Sequence, residues 1–207
     1  MSFLDIDNIN RSDDELEFHP LKPFISNTTK ILFLGSFPPQ RKRWCIDFFY
    51  PNFINDHWRI QGLTFYNDKN HFVNLEKKSF KLDLIVEHCK KHGFGYFDTA
   101  TAIRRTAGNA SDKFLEVVQP TDIYSLIANA DMLKAIVTTG TKATETLCNS
   151  LQMNEVPKVG EALTSNITIN GTKLLIGRLP SSSRAYPLSL EKKAEAYREM
   201  FNLIGLI

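Results

Sequence analysis

The sequence predicts an α/β domain, a three-layer α/β/α sandwich with a central, largely parallel four-stranded sheet. Three observations predict it. The apolar runs Ile31–Leu34 and Leu133–Thr139 stop at Gly35 and Gly140, as strands buried on both faces do. Helical patterns alternate with such runs, which is the signature of parallel strands joined by crossover helices. The chain of 207 residues holds no internal repeat, linker or low-complexity tract, so residues 1–207 are expected to form one domain, with residues 1–28 a peripheral N-terminal arm.

The elements follow in order. Residues 1–18 are polar and acidic and read as a mobile arm or a short helix. His19 to Phe24 carries prolines at 20 and 23, which push their predecessors out of the α region, so this stretch is extended. Ser26-Asn27-Thr28-Thr29 is a turn, and the first strand follows it. A long irregular loop leads from Gly35 to a helix, Asp56 to Phe65. Residues 66–78 are polar and ambiguous. Ser79 to Lys91 mixes Phe80, Leu82, Ile85, Val86 and Cys89 with charged residues at helical spacing, and Gly93 supplies its C-cap. Gly95 to Thr99 is a strand that leads through Ala-Thr-Ala-Ile to Arg104-Arg105. Residues 106–120, with Gly108-Asn109, read as loop. Asp122 caps a helix, Ile123 to Asn129. After the strand at Leu133–Thr139 comes a helix, Thr141 to Leu151. Asn170-Gly171 between two apolar runs is a type I′ hairpin signal, with the second arm ending at Gly177. Leu190 to Ile204 closes the chain as a helix.

Bulk properties exclude several classes. Hydrophobic residues make up 43 %, an ordinary value for a globular domain, and the formal charge is +2, so overall charge does not announce a nucleic-acid binder. Cys45, Cys89 and Cys148 are far apart and odd in number, with no CxxC, which suggests neither a disulfide framework nor a metal or iron–sulfur set. A reducing cytoplasm fits this usage. No apolar run approaches the ~18 residues of a membrane span. The acidic start does not resemble a signal peptide.

The loop from Gly35 to Asn55 is the most informative stretch. Ligands in an open α/β sheet bind outside the carboxyl ends of its strands. A loop this long is usually functional or disordered, and Phe37, Trp44, Phe48, Phe49, Tyr50 and Phe53 argue against disorder. The loop is therefore read as the wall of a binding site. Arg178 to Arg184 reads as a second functional loop.

These residues carry a resemblance. Gly35-Ser36-Phe37-Pro38-Pro39, Phe49-Tyr50 and Asn55-Asp56-His57-Trp58 resemble the first motif of the uracil-DNA glycosylase superfamily, closest to its hypoxanthine (deoxyinosine) and mismatch-specific branches. Leu179-Pro180-Ser181-Ser182-Ser183-Arg184-Ala185 resembles the second motif. Phe97-Asp98 resembles the family's Trp-Asp strand end, and Thr139-Gly140-Thr141-Lys142-Ala143 its Asn-Gly-Lys-Lys-Ala turn. The likeness spans roughly residues 30–187 in order. The chain departs from the pattern at Asn52-Phe53, where the family has His-Pro, at His57, where Phe is usual, and at Arg184, where the second motif has Pro. Phe37 stands where the uracil branch has Asp or Asn, which argues against uracil excision by that branch's mechanism.

The resemblance implies a DNA glycosylase that flips a deaminated base out of double-stranded DNA, hypoxanthine ahead of uracil, and hydrolyses its glycosidic bond. No cofactor or metal is implied, nor a membrane, and the protein is expected to act as a cytoplasmic monomer. Asn55 is the candidate catalytic residue, orienting a water rather than removing its proton, because an amide has no useful pKa. Gly35, Ser36, Phe37, Pro38, Phe49 and Tyr50 are the candidate base-binding residues, through ring stacking and the backbone N–H groups of Ser36 and Phe37. Arg41, Arg43, Pro180, Ser181, Ser182, Ser183 and Arg184 are the candidate DNA contacts.

Plainer readings stand beside these. Phe49 and Tyr50 also suit a core, and Asn55 suits a helix cap. Arg41-Lys42-Arg43 suits a solvated charge run and Ser181–Ser183 an ordinary loop. His57 suits a surface or supporting position. Asp98 suits a structural hydrogen-bond partner, with general base as its rarer role. Asn52 rivals Asn55. Two other functions stay open: a catalytically silent nucleic-acid-binding protein that keeps the fold, and a glycosidase of free nucleotides.

Overall fold

The computed structural model describes residues 16–105 and 115–207. Their main sheet has five strands. β2 (Ile31–Gly35) lies between β5 (Phe94–Asp98) and β8 (Ala135–Thr139), and β10 (Thr172–Leu179) and β9 (Ala162–Ile169) extend the other edge. β5, β2, β8 and β10 run parallel, the expected four-stranded core. β9 is an addition to it, antiparallel to β10 across the Asn170-Gly171 turn, where φ is 47° and 79°. Both values are positive, as a type I′ turn requires.

The helices sandwich this sheet. Successive strand side chains point to opposite faces. On one face Phe33 meets His57 of α1 (His57–Tyr66) and Phe201 of α5 (Leu190–Leu203) edge-on, and α1 packs against α5. On the other, the Thr138 hydroxyl bonds that of Thr144 in α4 (Thr141–Ser150) at 2.8 Å. Ile31 to Leu34 are fully buried, so the first apolar run is the centre of the core. The remaining helices are α2 (Leu82–His92), ending at Gly93 with φ 70°, and α3 (Ile123–Ile127), whose Asp122 cap accepts from the Ser125 N–H at 3.2 Å.

Several expectations are corrected. Residues 66–78, ambiguous in the sequence, contain β3 (Val73–Asn74), which pairs with β4 (Ser79–Phe80), so α2 starts at Leu82 rather than Ser79. Of the stretch expected as loop, 115–120 form β7, which pairs with β6 (Ala100–Arg105). Gly108-Asn109 lies outside the described residues. Residues 16–28 of the expected arm are tied down. β1 (Leu16–Phe18) pairs with β6, the His19 N–H donates to the Thr101 carbonyl at 2.9 Å, and Phe24 and Tyr96 exchange N–H···O bonds of 3.0 and 2.8 Å. Unpaired backbone groups in such a crossing would be costly, and this pairing satisfies them. Among the described residues no helix is long and apolar enough to cross a membrane, and no cluster of side chains suits a metal ion.

Candidate active site

A cavity of about 300 Å³ opens at the carboxyl ends of three parallel strands, bordered by Gly35, Asp98 and Thr139. Two loops wall it. The first, 36–55, carries a short helical turn at Arg41–Arg43 and is otherwise irregular. Buried rings and backbone-directed bonds hold it. Trp44 Nε1–H donates to the Pro39 carbonyl at 2.7 Å, Trp58 Nε1–H to that of Phe49 at 3.1 Å, and the Arg59 guanidinium to that of Phe53 at 2.8 Å. Trp58 is fully buried, and Phe49 stacks near Tyr96 at 5.9 Å between centroids.

Tyr50 sits at the turn of this loop with φ 50°, a left-handed conformation that a bulky residue adopts only under constraint. The constraint is visible. Its ring stacks on His57 at 3.8 Å and 10°, and its hydroxyl lies 2.8 Å from Thr139 Oγ1. His57, expected at a surface or supporting position, is fully buried, between Tyr96 Oη at 3.0 Å and Tyr197 Oη at 3.5 Å. Burial holds its imidazole well below the ordinary range, so the floor beneath Tyr50 is neutral.

The second loop follows β10. Its hold is electrostatic. The Asp56 N–H donates to the Ser182 carbonyl at 3.0 Å, the Lys193 ammonium to that of Ser183 at 2.8 Å, and Arg184 Nε–H to Asp56 Oδ1 at 2.9 Å. Arg59 lies 3.9 Å from the same carboxylate. Lys193 is almost wholly buried on α5, and that burial pulls its pKa down against the opposing pull of Asp56.

The predicted residues divide clearly. Gly35 at the end of β2 and Ser36, Phe37, Pro38, Phe49, Tyr50 and Asn55 from the first loop all border the cavity. So do Arg43, Ser181, Ser182, Ser183 and Arg184. Two do not. Arg41 is exposed, ion-paired with Asp47 and laid over the Trp44 ring at 4.3 Å. Pro180 is buried behind the loop. Asn55 stands one residue before the N-cap Asp56, and its Oδ1 accepts from the His57 N–H at 2.8 Å at the start of α1. That bond fixes the amide and leaves its NH2 group to a ligand. Asn52 borders the cavity too, its Oδ1 accepting from the Ile54 N–H at 3.2 Å.

Sequence reasoning missed two participants, Arg105 and His19, and gave a third, Asp98, the structural hydrogen-bonding role that its 2.8 Å bond to His19 shows. Arg105 borders the cavity, donates to the Pro38 carbonyl and to Glu17 Oε1 at 2.7 Å each, and lies over Phe37 at 5.8 Å. Asp98, read chiefly as structural, is in the cavity wall. His19, hydrogen-bonded to it, has no signal in the sequence: it reaches the site because β1, which ends just before it, pairs with β6, and that pairing is not local.

No family model matches the chain, and no curated protein matches it. Among solved structures it is similar to a protein from Methanosarcina acetivorans, determined by solution NMR and described as a candidate uracil DNA glycosylase. The two are 22 % identical with a TM-score of 0.57, over 91 % of this chain and 99 % of that one. The likeness is one of fold: an α/β domain with a central, mostly parallel sheet flanked by helices.

Proposed function

We propose that the protein is a monofunctional DNA glycosylase that takes a deaminated base, hypoxanthine ahead of uracil, into this cavity from double-stranded DNA. The observation that carries the proposal is that two loops far apart in the chain, one ending at Asn55 and one beginning at Ser181, border one cavity with Asn55, Tyr50 and Ser181–Ser183. The fold shared with a protein described as a candidate uracil DNA glycosylase supports it.

The residues divide the work by chemistry. A base inside a duplex is out of reach and must be extruded. Phe37, Phe49 and Tyr50 give it an aromatic lodging, and the Ser36 and Phe37 N–H groups face its carbonyl. The anchored Asn55 amide holds a water at the sugar carbon. Orientation suffices when the glycosidic bond breaks by a dissociative route with an oxocarbenium-like sugar, because water then needs no strong base. Arg43 and Arg184 offer cations to phosphates at the rim. Phe37 offers no polar group to uracil, which favours hypoxanthine.

Single-turnover assays on duplexes carrying inosine, uracil or ethenocytosine test this. Wild type is expected to give alkali-labile sites at inosine, and Asn55→Ala to slow them by at least ~10²-fold. Duplex binding with no base release would instead establish a silent binding protein. Cleavage of a monomeric nucleoside would establish a nucleotide glycosidase.

A further inference from the structure

Among the described residues that border the cavity, three are exposed: Ile54, Arg184 and Ala185. Ile54 is the one large apolar side chain of the three, and it is 54 % exposed. A single exposed isoleucine is ordinary on a protein surface. The backbone beneath this one is not ordinary. It forms a tight turn, closed by the Asn55 N–H donating to the Asn52 carbonyl at 2.8 Å, and the Ile54 N–H donates to Asn52 Oδ1 at 3.2 Å. Turns favour Gly, Asn, Asp and Ser. A β-branched apolar residue at this place breaks the local rule, and such breaks are expected at functional sites.

Both neighbours of Ile54 are fixed. The Phe53 ring lies 5.5 Å from that of Phe80, with the Arg59 guanidinium 4.7 Å over it. Asn55 is bonded to the start of α1. The turn thus holds an apolar side chain at the mouth of the cavity, one residue from Asn55. Its β-branch makes it stiff, so little rotamer freedom is lost when it is buried. The opposite rim, Ser181 to Ala185, carries hydroxyls, a cation and a methyl group, and no large apolar side chain.

We propose that Ile54 is the wedge that enters the base stack and occupies the gap left by the extruded nucleotide. An emptied gap favours the return of the base, because unstacking costs free energy and apolar faces are left wet. Apolar side chains inserted between base steps offset that cost. The surroundings select nucleic acid over a protein partner. Ile54 has no contiguous apolar patch, as a protein interface core requires. Polar Asn52 and Asn55 flank it, and the cations Arg43 and Arg184 border the same cavity. One apolar side chain among cations suits a polyanion whose interior is a stack of flat rings. The inference deepens the glycosylase reading and rests on it for the identity of the ligand.

Two measurements on the full chain test it. The first is single-turnover excision from an inosine duplex and from the same strand alone, where no paired stack must be opened. Ile54→Ala is expected to slow the duplex reaction about tenfold more than the single-strand reaction. Ile54→Leu is expected to restore most of the loss. The second is the fluorescence of 2-aminopurine placed next to the inosine, which brightens when its neighbour leaves the stack and needs no bond cleavage. Wild type is expected to brighten it, Ile54→Ala to lose most of that rise, and Ile54→Leu to keep it. Ile54 is exposed, so its truncation leaves the core intact. Equal losses on both substrates, no brightening by wild type, or a full rise with Ile54→Ala would overturn the inference. Brightening that depends on Ile54, with no excision from any duplex, would sink the glycosylase reading alone. Equal duplex excision by wild type and Ile54→Ala would sink this inference alone.

Discussion

The two loops that wall the cavity are held by different physics. The first is fastened by buried rings and by indole and guanidinium donors aimed at its carbonyls. The second is fastened by charge, through Asp56, Lys193 and Arg184. Aromatic packing is little affected by salt, whereas the Arg184–Asp56 pair, exposed on its arginine side, is screened by it. The contrast implies a division of labour. On the proposed function, the rigid wall would give the base a fixed lodging, and the charged wall, with half of the Arg184 side chain exposed, would exchange its partners for phosphates.

The contrast can be broken most forcefully at Trp58. Trp58→Ala removes a fully buried ring and the donor to the Phe49 carbonyl, and is expected to cost about 3–5 kcal/mol of stability. Denaturant unfolding checks this, with a midpoint shift that is the same at low and high salt. Asp56→Ala strips Arg184 of its acceptor and is expected to cost about 1.5–3 kcal/mol. Its signature is proteolytic cutting confined to the loop after β10. A loss spread evenly over the chain would contradict a local clamp.

Acid acts on two buried imidazoles, His57 beneath Tyr50 and His88 against Tyr66 at the far end of α1. Burial and the neighbouring His92 and His71 pull His88 from 6.5 to about 3, and burial also holds His57 well below 6.5. The unfolded chain therefore takes up these protons first, so stability falls as pH drops from about 6.5 toward 3. His88→Leu is expected to flatten that acid limb, read from urea midpoints across the range.

The smallest expected effect separates two neighbouring cations. Arg43 borders the cavity, whereas Arg41 is already paired with Asp47. Arg43→Ala is expected to reduce the salt dependence of duplex binding by about one phosphate contact, and Arg41→Ala by less.

The sheet was legible because β2 and β8 are buried on both faces and so read as unbroken apolar runs. Asn170-Gly171 declared its hairpin through the positive φ it needs. The first loop was legible because its aromatics have no reason to lie in a solvated connection. β7 was not legible, since it is short, mostly exposed and defined by its partner. His57 could be read only as surface or supporting, because α1 is covered at its start, from His57 to Gly62, and shows no polar face there to decide; in the structure it supports Tyr50 from below. His19 and Asp98 meet across 79 positions, a separation at which local pattern carries no information.

The most direct measurement is a structure of the Asn55→Ala variant bound to a duplex carrying inosine. The account predicts hypoxanthine swung out of the helix and lodged in the cavity, with both loops against the same nucleotide. A base still stacked in the duplex, or one lodged away from the ends of β2, β5 and β8, would contradict it.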